Sequence, residues 1–343
     1  MHHDHAHPTI SAKPMSRRTM LQALAASSVA VSLGGAAFGA SAAGAASVPN
    51  AAAGNGPRLV PKNRIGIQLY TVRDKVSSLG FRAVFEELAD AGFTEVEFAG
   101  YTQGNVGAIT IADLRRLLDD NGLRATGSHV TLTPANLGQQ LEIAHQLGMK
   151  HLGQGGPIAG GFSDATTVSA WTSAAQTWNE MGSTASAEGI RLYIHNHYGE
   201  FGFTSDDPKR RVYDLLWDEF DGDHVAFEMD VYWAHVGQHL FPGFTPIDYV
   251  LRDPDRFPLL HLKDGKLNPD NPMGYDIIEF GAGDIDYARF LSPLRNRGQR
   301  WGMYEQDNAA TTAVPPNPLN SLGNAERSFA AIEGLRGGDR SGR

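Results

Sequence analysis

The sequence predicts a (β/α)8 barrel. From Arg64 onward, eight short apolar or β-branched runs alternate with longer stretches of helical periodicity, and metal-ligand side chains fall near the ends of the last four runs. A doubly wound open sheet, the main alternative, normally carries a Gly-rich phosphate turn after its first strand, and none follows RIGIQLYTV.

In order, the strand candidates are RIGIQLYTV, TEVEFAGY, LRATGSHV, KHLGQGG, RLYIHNHY, HVAFEMDVY, FPLLHLKD and RWGMYEQD. Between them lie FRAVFEELADAG, IADLRRLLDDNG, NLGQQLEIAHQLG and TSAAQTWNEMGSTASAEG. Their apolar residues recur three and four apart, and each has a Gly near its end to serve as a C-cap. Units of about thirty residues suit βα repeats, whose functional groups gather at the C-terminal strand ends.

Residues 1–45 have the layout of a twin-arginine export signal. Ser16-Arg17-Arg18-Thr19-Met20-Leu21-Gln22 is followed by an Ala-rich apolar run and small-residue sites such as Ala40-Ser41-Ala42. The run is short and rich in Ala, Gly and Ser, which disfavours a membrane-spanning anchor. The opening MHHDHAH lies upstream of the expected cleavage site and is given no role. Residues 46–62 read as a flexible linker, 63–335 as the barrel and 336–343 as a disordered tail. The expected address is periplasmic or extracellular, without a stable membrane anchor. Twin-arginine export carries folded proteins, so a metal can be loaded beforehand. Cys is absent, which excludes a disulfide framework and a lipid-anchoring cysteine. A net charge of −9 argues against nucleic acid or an anionic membrane surface as partner and favours a small neutral or cationic substrate.

LYIHNHYGEF, FEMDVYW, LLHLKD and MYEQD contribute His195, Asp230, His261 and Glu305. Imidazole and carboxylate together suit one divalent ion such as Mn, Zn, Co or Ni. A lone strand-end His is usually structural, but ligand-type side chains at the same end of four consecutive strands converge on one rim. Within IHNHYGE, side chains alternate with period two, so His195 and His197 share a side. Either can ligate, with His195 favoured, and Glu200 can return from the loop. Asn196 would face away toward packing. Glu97 and His129, near the ends of candidate strands two and three, are expected to line the same mouth. Phe98, Tyr101, Tyr232 and Trp233 offer apolar faces for a sugar.

At these motifs the chain resembles the xylose-isomerase-like TIM-barrel family, often labelled sugar phosphate isomerase/epimerase, over about residues 64–335. The carrying segments are His195-Asn196-His197 with Glu200-Phe201, Asp230-Val231-Tyr232-Trp233, His261-Leu262-Lys263-Asp264, Glu305-Gln306-Asp307 and GAGDIDYARFL. In the family's ketose epimerases a Glu, Asp, His, Glu set holds the metal, and the two glutamates act as acid and base. Asp230, His261 and Glu305 match three of those positions, while His195 stands where the first glutamate would be. Other members dehydrate inososes or act on 3-keto-glycosides by elimination, reactions that also begin by removing a proton next to a carbonyl. The resemblance therefore implies a metal-dependent isomerase, epimerase or lyase with Glu305 as base. His197 or Glu200 is the expected acid, and Lys263, facing the same side as His261, would protonate or hold a departing oxygen. Glu97, His129, Trp233 and Tyr101 are the candidate substrate-binding residues.

A phosphate grip would want a backbone-amide nest with basic help. Gly281-Ala282-Gly283 offers a nest, but Asp284 follows and is expected to cap the next helix. The expected substrate is thus an unphosphorylated sugar, keto-sugar or glycoside. An endonuclease-IV-type phosphodiesterase would need an Asp-x-His pair where Leu259-Leu260 precede His261, and the acidic chain opposes DNA binding. The missing first glutamate keeps a non-catalytic sugar- or metal-binding barrel as the alternative.

Overall fold

The computed structural model describes residues 56–158 and 166–337. The twin-arginine segment, most of the linker and the tail beyond Gly337 lie outside the described residues. Eight parallel strands, β1 (Ile65–Gln68), β2 (Glu95–Phe98), β3 (Arg124–Ser128), β4 (His151–Gln154), β5 (Arg191–His195), β6 (Val225–Asp230), β7 (Leu259–Leu262) and β10 (Trp301–Tyr304), make one sheet in the order β3-β2-β1-β10-β7-β6-β5-β4. Each falls inside one of the eight runs picked out in the sequence. The sheet closes between its two ends through a bridge pairing His129 with Gly153, where Val130 N donates to Gly153 O at 2.9 Å. The result is a (β/α)8 barrel in a single domain.

Helices α1 (Arg73–Ala91), α2 (Ile111–Asp120), α3 (Leu137–Leu147), α4 (Val168–Ala187), α5 (Val212–Glu219), α6 (Val231–Leu240), α7 (Pro246–Arg252), α8 (Tyr287–Leu291) and α9 (Ser321–Gly334) cover the strands. Local chemistry sets their ends. Thr110 and Asp113 form a reciprocal capping box at α2, and Gly92 and Gly148 end α1 and α3 with φ of 106° and 75°, a backbone region open to glycine at little cost. Between strands and helices lies the apolar core, for instance the Phe81, Phe85 and Phe98 rings with centroids 5.5–6.2 Å apart. Among the described residues no helix is long and apolar enough to cross a membrane.

Two features depart from the sequence reading. First, an antiparallel hairpin, β8 (Asp264–Leu267) with β9 (Tyr275–Ile278), is inserted after β7. Second, packing begins before Arg64, because Leu59 and Val60, placed in the linker by composition, are buried. Leu59 N donates to Leu335 O at 3.1 Å, and Gly337 N, at the start of the segment read as tail, donates to Pro57 O at 3.0 Å. Two apolar side chains and an exposed backbone edge suffice to dock this stretch beside α9.

Candidate metal centre

Asp230 ends β6 and also N-caps α6. Its Oδ1 accepts from Trp233 N at 2.9 Å, which leaves Oδ2 buried in the barrel mouth, 3.1 Å from the Lys263 ammonium. Asn196, expected to face away toward packing, is buried and grips the Asp230 backbone. Its Oδ1 accepts from Asp230 N and its Nδ2 donates to Asp230 O, both at 3.2 Å, because the residue beyond β5 still lies level with the end of β6. Around Asp230 Oδ2 stand His195 Nε2 and His261 Nδ1, each 3.8 Å away, and Glu305 Oε2 lies 2.8 Å from His261 Nδ1. One ligand atom each from His195, Asp230, His261 and Glu305 fall within 4.8 Å of one another, and all four residues are buried. The four side chains expected to converge do so.

Lys263 is buried among carboxylates. Its Nζ lies 3.1 Å from Asp230 Oδ2, 3.0 Å from Glu305 Oε2 and 2.8 Å from Asp307 Oδ2, under the Trp233 ring at 5.2 Å. Burial opposes the ammonium charge, but the three carboxylates outweigh it and hold the Lys263 pKa well above its ordinary value. Glu305 is the mirror case. Burial works against its ionisation, and Lys263 with His261 overrides that and holds the carboxyl well below the usual range. Burial pushes Asp230 up to about 6 against the pull of Lys263 and His261. His195 is kept neutral by burial and by the imidazoles around it, the form in which a histidine ligates.

A second tier lies deeper in the barrel. Glu97 was expected to line the mouth, but it is fully buried and faces away from solvent. Its Oε2 is 2.8 Å from His261 Nε2, its Oε1 is 3.2 Å from His129 Nε2, and it accepts a hydrogen bond from the Tyr193 hydroxyl. Glu97 sits inside the barrel because its strand position points inward and below the rim. Glu228 completes the tier, with Oε2 at 2.7 Å from His129 Nε2, 3.1 Å from His261 Nε2 and 3.3 Å from His195 Nδ1. Burial opposes protonation of His129 and His261, yet the carboxylates beside them raise His129 to about 10 and His261 well above its ordinary value. Sequence reasoning missed Glu228, Tyr193 and Asp307. Each stands two residues from a candidate ligand (Asp230, His195, Glu305), the same period-two spacing that placed Lys263 with His261.

The remaining predicted residues divide. His197 sits beyond the strand end, its ring centroid 5.1 Å from that of His195 and 5.6 Å from that of Trp233, and burial followed by Lys263 lowers its pKa to about 4. Glu200 turns back on its own loop, where it accepts from His197 N at 2.9 Å, and burial raises its pKa to about 8. It is not brought into the ligand cluster. Trp233 roofs Lys263, while Tyr101 packs on Phe98 at 5.5 Å. Phe98 and Tyr232 are wholly buried and belong to the core, not to an open sugar platform.

The Gly281-Ala282-Gly283 nest is filled by the chain itself. Asp264 Oδ2 accepts from Gly281 N at 2.9 Å and Gly283 N at 3.2 Å. Asp284 does not cap the following helix. It accepts from Leu267 N at 2.8 Å in the hairpin, and Asp286 caps α8 by accepting from Arg289 N at 2.8 Å.

A buried N2O2 donor set, with one imidazole neutral and two carboxylates that already face one buried cation, Lys263, fits a divalent transition metal. Fold and site together define a parallel barrel with a His/Asp/Glu cluster at the C-terminal strand ends. Residues 85–321 match the family described as xylose isomerase-like TIM barrel, and the chain belongs to that family. Among solved structures it is similar to a sugar phosphate isomerase/epimerase from Parabacteroides distasonis ATCC 8503 (23% identity, TM-score 0.62, covering 80% of this chain and 95% of that one). An L-ribulose 3-epimerase aligns at 16% identity and a TM-score of 0.56, over 79% and 94% of the two chains. A xylose isomerase domain protein from Alicyclobacillus acidocaldarius subsp. acidocaldarius aligns at 13% and 0.54, over 79% and 96%. At these identities the structural likeness shows the fold alone. No curated protein matches the sequence.

Proposed function

We propose that this protein is a metal-dependent isomerase or epimerase that removes a proton next to a carbonyl of an unphosphorylated sugar, keto-sugar or 3-keto-glycoside. Elimination, a lyase outcome, would begin with the same step. The observation that carries the reading is the convergence of His195, Asp230, His261 and Glu305 at the ends of four neighbouring barrel strands, within 4.8 Å. These four residues would hold one divalent ion, of the Mn, Zn, Co or Ni class. When bound, the ion supplies Lewis-acid stabilisation of the negative charge that develops on the carbonyl oxygen.

Glu305, kept ionised by Lys263 and His261, is the base. Lys263 carries a permanent positive charge between the ligand carboxylates and Asp307, so it can hold an anionic or departing oxygen. His197, neutral near pH 7, lines the mouth and can pass a proton, while Glu200 fixes the backbone of the His197 loop. Trp233 closes the roof over Lys263 and limits water. The nest already taken by Asp264 supports an unphosphorylated substrate. The twin-arginine layout supports action outside the cytoplasm. A binding protein without turnover is the second reading, favoured by His195 standing where the resemblance implies a glutamate.

Elemental analysis of the purified protein, paired with solvent deuterium exchange into keto-sugars and 3-keto-glycosides, tests this. About one divalent ion per chain and exchange that chelator abolishes are expected. An ion without exchange favours the binding protein, and full exchange by metal-free protein overturns the proposal.

A further inference from the structure

Strand β1 ends on an amide with one end unfilled. Gln68 is its last residue and is wholly buried. Its Oε1 accepts from Tyr70 N at 3.1 Å, a bond that only the oxygen end of the amide can make. The other end, Nε2, is a buried donor with no hydrogen-bond partner. Such groups are rare in folded chains, because a donor taken out of water and left unpaired is destabilising.

Strand geometry turns that amide into the barrel, since side chains alternate along β1. Ile65 and Ile67 join the main apolar core. A Cβ on Gly66, by contrast, would meet the Met303 side chain, which packs in the small inner cluster with Tyr193, Ala226 and Leu259. Gln68 therefore shares the inward face with Gly66. In register it pairs with Glu97 on β2, and one step beyond the Ile67–Tyr304 pair it stands level with Glu305 at the end of β10. Glu97 does not take up the amide, because its oxygens are engaged by His261, His129 and Tyr193. The turn after β1 is tied to the chain beyond Glu305. Thr71 Oγ1 accepts from Gln306 N at 3.1 Å, and Arg73 donates to Asp307 O at 2.8 Å. Gln68 is thus anchored beside Glu305.

We propose that Gln68 binds the substrate, with Nε2 donating to a hydroxyl oxygen beside the carbon that Glu305 deprotonates. This rests on the sugar reading above, and goes further by naming the residue that decides which hydroxyl pattern is accepted. Because the donor is unpaired in the free protein, bonding to a substrate gives up no bond to water on the protein's side. A substrate without that oxygen leaves the amide unpaired, so discrimination at this hydroxyl should exceed that of a solvated donor.

Calorimetric titration tests this. Metal-loaded wild type and Gln68→Met are titrated with D-fructose, with methyl 3-keto-glucoside and with the monodeoxy analogues of each. One analogue should bind wild type about 10- to 100-fold more weakly than its parent. In Gln68→Met, that parent and analogue should bind within about threefold of each other. Wild type alone gives a second readout, valid even if the variant does not fold. The Gln68 side-chain amide signal in nitrogen-15 NMR should shift with the parent sugar and stay in place with that analogue. Equal preferences in wild type and variant, or an amide signal indifferent to the parent, would overturn the inference; a buried water held by Nε2 would give that result. Chelator-sensitive deuterium exchange alongside it would leave the proposed function standing. Preferences that depend on Gln68 without any exchange would support the inference and favour the binding protein. No binding of either parent by metal-loaded wild type would overturn both.

Discussion

Charge at the candidate metal centre is balanced residue by residue. Lys263 stands where three carboxylates meet, acting as a resident cation between Asp230 and Glu305. Replacing it, as in Lys263→Met, leaves those groups facing one another without compensation, and breaking a buried pair costs about 3–5 kcal/mol. The variant's Tm in chelator should fall, and added manganese or zinc should recover more of it than in wild type. Calorimetry with and without metal checks this, and an unchanged Tm in chelator would deny Lys263 that role. Glu305→Gln keeps the shape but removes the proposed base, so deuterium exchange should drop by about 10²–10⁴-fold, the usual contribution of a positioned proton-transfer group. Exchange at the wild-type rate would assign the base elsewhere. Glu200 predicts a pH effect of defined sign. Its carboxyl is raised from 4.5 to about 8 by burial, so the folded chain keeps a proton that the unfolded chain releases. The stability this contributes is complete below pH 4.5 and is lost as pH rises through 8. Glu200→Gln should therefore gain on wild type from pH 5 to pH 9, by on the order of a few kcal/mol at the alkaline end. A Tm difference that stays flat across that range would mean the carboxyl is not held protonated.

Among the elements, the barrel strands were legible because each is a short run of inward and outward apolar residues buried on both faces, as the all-buried β6 shows. The β8–β9 hairpin was not. Its Lys266 and Leu267 are exposed and most of β9 is half-buried, so it is held by pairing across the hairpin and leaves no burial pattern in the sequence. The docked start was hidden by its neighbours, since two apolar residues in a Pro- and Gly-rich stretch look like linker until Leu335 supplies a backbone partner. Leu59→Ala should cost about 2–5 kcal/mol in urea unfolding, as for other buried leucines. A change below about 0.5 kcal/mol, normal for surface sites, would show the segment to be dispensable.

At the level of the whole molecule, the upper tier was readable because barrel topology brings the ends of successive strands to one rim. The lower tier needs contacts across the barrel, such as Glu97 with His261 and His129 with Glu228, separated by 164 and 99 residues. Such pairings follow from closure of the barrel and leave no local spacing to find. A bound ion should also stabilise the entire fold, by about 2.7 kcal/mol at a free concentration one hundred times its Kd. Saturating zinc or manganese should raise the Tm of wild type and not of Asp230→Asn; equal rises in both would place the ion elsewhere. Asp264 in the Gly281–Gly283 loop has a different consequence. It is a tethered anion, presented to those amides at an effective concentration that a diffusing phosphate ester must exceed. The loop is thus ligated from the moment it folds, and under the proposed function a phosphorylated sugar would have to compete with a guest that never leaves.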